Sequence, residues 1–255
     1  MTKMPVLFIG HGSPMNAIED NIFSRKWIEI ARTIPKPTAI LSVSAHWTTH
    51  GTRVSDNLQP KTIYDMYGFP PALYEVQYKP AGSPELADVV RKFIDNAQID
   101  NSWGIDHGTW SVLKWMYPAA DIPVVQLGIS RHENRQYHLD LGQALKPLRD
   151  QGVLILGSGN IVHNLALVDW DMPDSGYAWA IDFDAYIKEN IINRQFQNVV
   201  DYRKAGKSAE TAFFTTEHFD PLLYVLGASE STDQISVYNE ACVMGSISMT
   251  SYLFE

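Results

Sequence analysis

The sequence predicts an α/β fold, a mostly parallel central sheet flanked by helices, and two observations carry that expectation. Short apolar runs rich in Val, Ile and Leu alternate with longer amphipathic segments, the pattern of strands buried between helical layers. The composition, 45% hydrophobic and 19% charged over 255 residues, belongs to a chain that buries about 70–75% of its unfolded surface, which excludes disorder as the main state. No stretch is linker-like, low in complexity or repeated at a solenoid period. Residues 1–255 are therefore expected to form a single domain.

The elements follow in chain order. Pro5–Gly10, Ala39–Ala45, Pro123–Ile129 and Val153–Gly157 are each too short for a helix and bounded by turn residues, so they are expected to be central strands. Asp20–Ile34 places Phe23, Trp27, Ile30, Ala31 and Ile34 on one helical stripe, and Pro35 and Pro37 end it. Ser83-Pro84-Glu85 opens a second helix, with Ser83 as N-cap and Pro84 at the first position. Further helices are expected over Arg135–Arg149, Ala178–Asn193 and Glu217–Gly227. Gln234–Tyr238 and Ser246–Leu253 are expected to extend the sheet edge, although Ser and Thr dilute their apolar pattern. Between Asn57 and Pro80 lie four prolines and five aromatic residues, which predicts a long functional loop rather than regular structure.

Charge and cysteine content narrow the functional classes. Twenty Lys and Arg against 29 Asp and Glu give a net charge of −9 with no basic run to offset it, so nucleic acid and anionic membrane surfaces are not expected partners. No segment reaches the roughly 20 apolar residues of a membrane span. A lone Cys242 and only a short apolar run in the N-terminal MTKMPVLFIGHG point to a cytoplasmic protein without a signal peptide. No feature specifies the oligomeric state.

Three of the eight histidines stand just beyond the carboxyl ends of predicted strands: His11 after LFIG, His46 after ILSVSA, and His163 after LILGSGNIV. In open α/β sheets ligands bind in the crevice at those ends, where loops from several strands converge. His107, in the run WGIDHG, and His218, at the start of the last predicted helix, share the character. Several converging neutral imidazoles favour a divalent transition metal over Mg or Ca. Taken singly, each is more often a hydrogen-bonded loop residue; His107 also reads as a turn residue held by Asp106, and His218 as a helix-start residue. His50, His132 and His138, in polar surroundings on a loop or helix face, are assigned no site role.

Other motifs fail. His132-Glu133 does not continue as HExxH because residue 136 is Gln, and Gly157-Ser158-Gly159 lacks the third glycine of a dinucleotide fingerprint. Neither Ser13 nor Ser158 is centred in G-x-S-x-G, and Cys242 has no partner motif for thiol catalysis. Trp103, Trp110 and Trp115 are expected to be core.

Six ordered motifs, GHGSPMN, SAHW, WGIDHGTW, VVQLGIS, SGNIVHN and HFDPLLYVLGA, span nearly the whole chain. Together they resemble the class III extradiol ring-cleaving dioxygenases, in the DOPA 4,5-dioxygenase branch. The resemblance implies a LigB-like α/β fold and a non-haem Fe(II) enzyme that opens catecholic rings with O₂, next to one hydroxyl rather than between the two. Carried over, His11, His46 and His218 match the metal ligands, with neighbouring Glu217 leaving the third ligand open. His163 matches an acid/base histidine that also binds metal when substrate is absent, and His107 a pocket histidine that touches substrate or oxygen. Zinc binds N-rich sites more tightly than Fe(II) yet is redox-inert, so purified protein is expected to carry zinc. Without the resemblance, a zinc-dependent hydrolase is the leading alternative, followed by a non-enzymatic metal- or peptide-binding protein.

Overall fold

The computed structural model describes residues 3–255. The first half of the chain builds β1 (Val6–Gly10), α1 (Ile22–Thr33), β2 (Ala39–Thr49), β3 (Arg53–Val54), α2 (Pro71–Tyr74), α3 (Pro84–Phe93), β4 (Gln98–Ile99), α4 (His107–Met116) and β5 (Val124–Ser130). The second half adds α5 (Arg135–Leu145), β6 (Val153–Gly159), α6 (Ala178–Ile192), α7 (Phe196–Val200), α8 (Lys207–Thr211) and α9 (Asp220–Ala228). Four short strands close the chain: β7 (Ile235–Tyr238), β8 (Cys242–Val243), β9 (Ile247–Ser248) and β10 (Ser251–Phe254).

Eight strands form one sheet in the order β4-β3-β5-β2-β6-β1-β10-β7. Its centre, β5-β2-β6-β1, is parallel, whereas β10 pairs antiparallel with β1 and β7 antiparallel with β10. The sheet is thus α/β and mostly parallel, with the two late strands added at its edge as the sequence suggests. Successive side chains of a strand point to opposite faces, and here both faces are apolar. Val6 and Phe8 of β1, with Ile155 of β6, join the core beneath α5, α6 and α9. Leu7 and Ile9 of β1, with Leu154 and Leu156 of β6, join the core beneath α1 and α4. Burial on both sides is why the central strands read as unbroken apolar runs rather than alternating ones.

The helix starts follow their caps. Asn21 accepts from the backbone N–H groups of Phe23 and Ser24, while the Ser24 hydroxyl accepts from the Asn21 N–H, a reciprocal capping box. Ser83 caps α3 through the Leu86 N–H, with Pro84 at its first position. At the opposite end of the sheet from the histidines, buried Arg149 holds Asp233 through two bonds of 2.8 and 2.9 Å and donates to the Met4 and Ala228 carbonyls.

Several boundaries differ from expectation for identifiable reasons. Arg135–Arg149 is not one helix: α5 gives way at Lys146 to a 3₁₀ segment ending at Gln151, because Pro147 has no N–H for a continuing helical ladder. The last helix begins at Asp220 rather than Glu217, since Pro221 belongs in a first turn and leaves Glu217 and His218 on the preceding turn. Ser246–Leu253 is two strands, β9 and β10, broken at Met249–Thr250. Helix α4 was not expected; its ten residues carry three aromatic or sulfur side chains that obscure the period. Among the described residues, no helix is long and apolar enough to cross a membrane.

Helices α5 and α9 pack so closely that a Cβ on Gly227 would lie 2.0 Å from the Leu139 carbonyl oxygen. Overpacking of this kind costs about 1–3 kcal/mol. The Gly227→Ala variant is therefore expected to lose stability in that range, read from the urea midpoint at constant m; an unchanged midpoint would show that the helices part freely.

Candidate active site

Because β1, β2 and β6 run parallel, their carboxyl ends lie side by side; His11 and His163 follow the ends of β1 and β6, whereas β2, expected to end at Ala45, runs on to Thr49 and carries His46 within it. His11 directly follows β1, its N–H donating to the Gly159 carbonyl at the end of β6 (3.1 Å). His46 lies within β2, where the ladder to β5 is interrupted: four residues, Ser44 to Trp47, oppose the single Gly128. Bulges re-aim side chains next to active sites. His218 arrives from the far end of the chain on the turn before α9. Its carbonyl accepts the Asn160 N–H (2.8 Å), and a Cβ on Gly159 would lie 2.0 Å from that oxygen. The Gly157-Ser158-Gly159 sequence thus serves a close backbone approach, not a phosphate.

The donor atoms of His11, His46 and His218 lie within 4.8 Å of one another. The ring centroids are 5.1 Å apart for His11 and His46, 5.5 Å for His11 and His218, and 4.9 Å for His46 and His218. His163 stacks face to face on His218, centroids 3.5 Å apart and planes 6° from parallel, and groups with Glu217 and His218 rather than with His11 and His46. His107 stands at the first position of α4, its ring centroid 3.9 Å from that of His46. All five expected site histidines therefore meet. His50 and His132 pair with each other at 2.9 Å on the surface. His138 is not in the polar surroundings expected for it: it is buried, bonded to the Tyr224 hydroxyl at 3.0 Å.

The groups behind the rings indicate which nitrogens are free: a hydrogen bond for His11 and a carboxylate contact for His46. The Ser158 hydroxyl donates to the Gly108 carbonyl (2.5 Å), so its oxygen accepts from His11 Nδ1 (3.0 Å), leaving the lone pair of His11 on Nε2. A fully buried serine committed in this way is no nucleophile. Asp65 Oδ2 lies 3.1 Å from His46 Nδ1, which favours a hydrogen there and a lone pair on Nε2. The two Nε2 atoms then face each other 3.2 Å apart. Two lone pairs at that distance repel unless a cation lies between them. His218 Nε2 is likewise buried with no partner, while its Nδ1 is 3.3 Å from Glu217 Oε1. The donor set is nitrogen-rich and suits a divalent transition metal.

Burial keeps the imidazoles neutral. His46 is lowered to about 3 by burial and by His107, against the opposing charge of Asp65. His163 is lowered to about 4, chiefly by burial. His11 and His218 are pushed well below the ordinary histidine value by burial and by neighbouring imidazoles.

The sequence does not mark Asp65, and Asp106, expected to hold His107, instead caps α4 through the Thr109 N–H. Asp65 comes from the Asn57–Pro80 loop, which is irregular apart from α2, and its Oδ1 accepts the His107 N–H (3.0 Å). Asp65 and Glu75 are the only acidic residues in that loop, the one signal that pointed to it. Burial would raise the Asp65 carboxyl, but His107 and His46 outweigh it and hold it below its ordinary value. Asp106 is fully buried, accepting from Ser44 (2.6 Å), Gln126 (2.8 Å) and Trp103 (2.9 Å). Trp110 is core, as expected, whereas Trp115 and Trp103 are only partly buried.

Fold and site together define an α/β enzyme with a histidine-lined, metal-type centre at the carboxyl ends of a parallel sheet. Residues 5–255 match the family described as the catalytic LigB subunit of aromatic ring-opening dioxygenase, and the chain belongs to that family. It is 43% identical, over 98% of this chain and 94% of the relative, to a 4,5-DOPA dioxygenase extradiol of Escherichia coli K12. A 4,5-DOPA dioxygenase extradiol of Beta vulgaris is 38% identical over 97% of this chain and 95% of its own. The crystal structure of an uncharacterized protein from Escherichia coli K12 superposes with a TM-score of 0.87 at 39% identity, covering 99% of this chain and all of that one. The chain is an extradiol aromatic ring-opening dioxygenase, which sets aside the hydrolase and binding-protein alternatives.

The lowered imidazoles have a consequence for stability. In the metal-free chain His11, His46, His138, His163 and His218 stay neutral when folded but titrate near 6.5 when unfolded. The unfolded state then binds more protons below about pH 6.5, so their contribution is lost as pH falls toward 4. Asp184, raised to about 6, Asp220, raised to about 7, and Asp106 act in the opposite sense but are fewer. Urea unfolding of metal-free protein is expected to show stability rising from pH 4 to 6.5; a flat or falling profile would contradict the neutral cluster.

Proposed function

We propose that this enzyme opens the ring of a catecholic substrate such as DOPA with O₂, next to one hydroxyl, using Fe(II) held by His11, His46 and His218, and that residues 1–255 act as one catalytic domain. The observation carrying this reading is the pair of facing Nε2 atoms of His11 and His46, 3.2 Å apart, with the unpartnered Nε2 of His218 beside them. Iron(II) held by these residues would supply a redox-active Lewis acid for the reaction of catechol with O₂. Zinc, favoured by the same nitrogens, is the ion expected in protein purified without iron, and such protein is expected to be inactive.

The chain's own residues handle the protons. A catechol hydroxyl is a weak acid, and neutral His163, whose ring lies against His218, is placed to take its proton. His107, near His46 and backed by Asp65, is placed to touch substrate or oxygen, and the proton taken up by His163 goes back to the leaving oxygen either from His163 itself or by way of His107. Glu217 stands beside His218 as an alternative oxygen donor, and with His163 and His218 it forms a second group of donors, through which His163 would reach the metal when substrate is absent. The 4,5-DOPA dioxygenase names of the relatives support a catechol carrying an amino-acid side chain.

Anaerobic reconstitution with Fe(II), followed by a panel of catechols with oxygen uptake and visible absorbance recorded, tests the proposal. A yellow conjugated semialdehyde formed with equimolar oxygen consumption is expected; no colour and no uptake with any catechol would refute it. The His163→Ala variant is expected to keep its metal and to lose about 10²- to 10⁴-fold in turnover. Near-normal turnover in that variant would remove His163 from the reaction.

A further inference from the structure

We infer that Asp65 is a positioning residue that ties the metal-ligating ring of His46 and the reacting ring of His107 into one geometric unit. Its Oδ2 lies 3.1 Å from His46 Nδ1 and 3.0 Å from His107 Nδ1. One oxygen stands in close contact with both rings, outside regular hydrogen-bond geometry, so any shift of the carboxylate changes its distance to both at once. Its Oδ1 is meanwhile committed to the His107 backbone N–H at the start of α4, where a carboxylate also meets the positive end of the helix dipole. The carboxylate is therefore held from both sides. Its side chain is nine-tenths buried, and no Lys or Arg bonds it.

The consequence concerns both rings together. A charged acceptor on the Nδ1 side leaves the Nε2 lone pairs of both rings directed away from Asp65, that of His46 toward His11 Nε2. Carboxylates behind metal-ligating histidines fix tautomer and orientation, and losing them typically costs about 10–100-fold in metal affinity. Here the same oxygen also sets where His107 stands, so a loop residue distant from every histidine in sequence couples metal affinity to placement of the second histidine. The loop itself is anchored: the Tyr64 hydroxyl donates to the Val76 carbonyl (2.7 Å), and Trp110 of α4 donates to the Ile63 carbonyl (2.9 Å). Asp65 is thus delivered on a fixed support.

The turnover arm of the test rests on the proposed ring cleavage; the metal arm does not. Cobalt(II) is titrated into metal-free protein under nitrogen and followed by its visible ligand-field bands. For Asp65→Asn, cobalt affinity is expected to fall about 10–100-fold with an altered band pattern, whereas His107→Ala keeps affinity within about twofold. In iron-saturated protein, Asp65→Asn is expected to lower kcat, and the Asp65→Asn/His107→Ala pair to lose less than the product of the two single losses, because the part of Asp65 that acts through His107 is already gone. Cobalt affinity unchanged in folded Asp65→Asn would overturn the inference, as would multiplicative losses in the pair. Two cobalt ions per chain, falling to one in Asp65→Asn, would also overturn it by making Asp65 a ligand of a second ion. Should Asp65→Asn fail to fold, Asp65→Glu, which shifts the oxygen by one methylene, is read in the same way. Wild-type protein that binds cobalt but opens no catechol would sink the proposed reaction and leave the role of Asp65 standing.

Discussion

Two imidazole lone pairs held 3.2 Å apart in a buried place are the constraint on which the rest of the site depends. Left to relax, one ring would rotate or take up a proton. Neither escape is open. Ser158 grips His11 from behind, and its own hydrogen is committed to the Gly108 carbonyl. Asp65 stands behind His46. Burial pushes both rings well below the ordinary histidine value, so protonation is costly at neutral pH. Two nitrogens facing each other at this distance suit a shared cation, and the contacts behind each ring keep them so oriented.

Holding those rings requires segments far apart in the chain to share one small volume. Parallel strands β1, β2 and β6 accomplish this because adjacent parallel strands present their carboxyl ends together. Two irregularities refine it. The bulge from Ser44 to Trp47 lifts His46 out of the β2–β5 ladder, and the absence of a side chain at Gly159 lets the His218 turn settle on the end of β6. The core on both faces of the sheet makes these placements stiff, since a close-packed interior transmits a shift instead of absorbing it. The antiparallel edge strands β10 and β7 bring the C-terminal segment beside β1 without disturbing the parallel centre.

What the sequence makes legible follows from which interactions are local. The strands leading into His11, His46 and His163 declare themselves because each is an apolar run ending at a small residue. The convergence of their histidines is then a matter of topology. Helix caps at Ser83 and Asn21 depend on residues three positions apart, though only Ser83 stood out from its neighbours. Asp65 is of another kind. Its loop has no period, and its contacts reach His46 and His107 across gaps of 19 and 42 residues, counted as 65 − 46 and 107 − 65. Nothing local marks such a carboxylate as different from a solvated one. Helix α4 was hidden for a related reason: it is buried on nearly every side, so the amphipathic period that reveals α1 and α3 is missing. His138 misled in the opposite direction, its polar neighbours in sequence concealing a place in the core against Tyr224.

The proposed set of three imidazoles has an electrostatic corollary for what the site accepts. A ligand set of neutral nitrogens leaves the charge of a divalent ion to be balanced by whatever binds from outside, whereas a carboxylate in the set would balance part of it beforehand. Asp65 and Glu217 supply negative charge only from behind His46, His107 and His218, Asp65 by close contact and Glu217 by a hydrogen bond to His218 Nδ1. A substrate that arrives with weakly acidic hydroxyls and departs from solvent as an anion gains most in such a place, because its charge is compensated where water is scarce. Proton removal and substrate binding then favour each other: each proton accepted by a nearby imidazole strengthens the hold on the ring it left. In the proposed reaction that reciprocity requires bases that are neutral beforehand, which is the state burial imposes on His163.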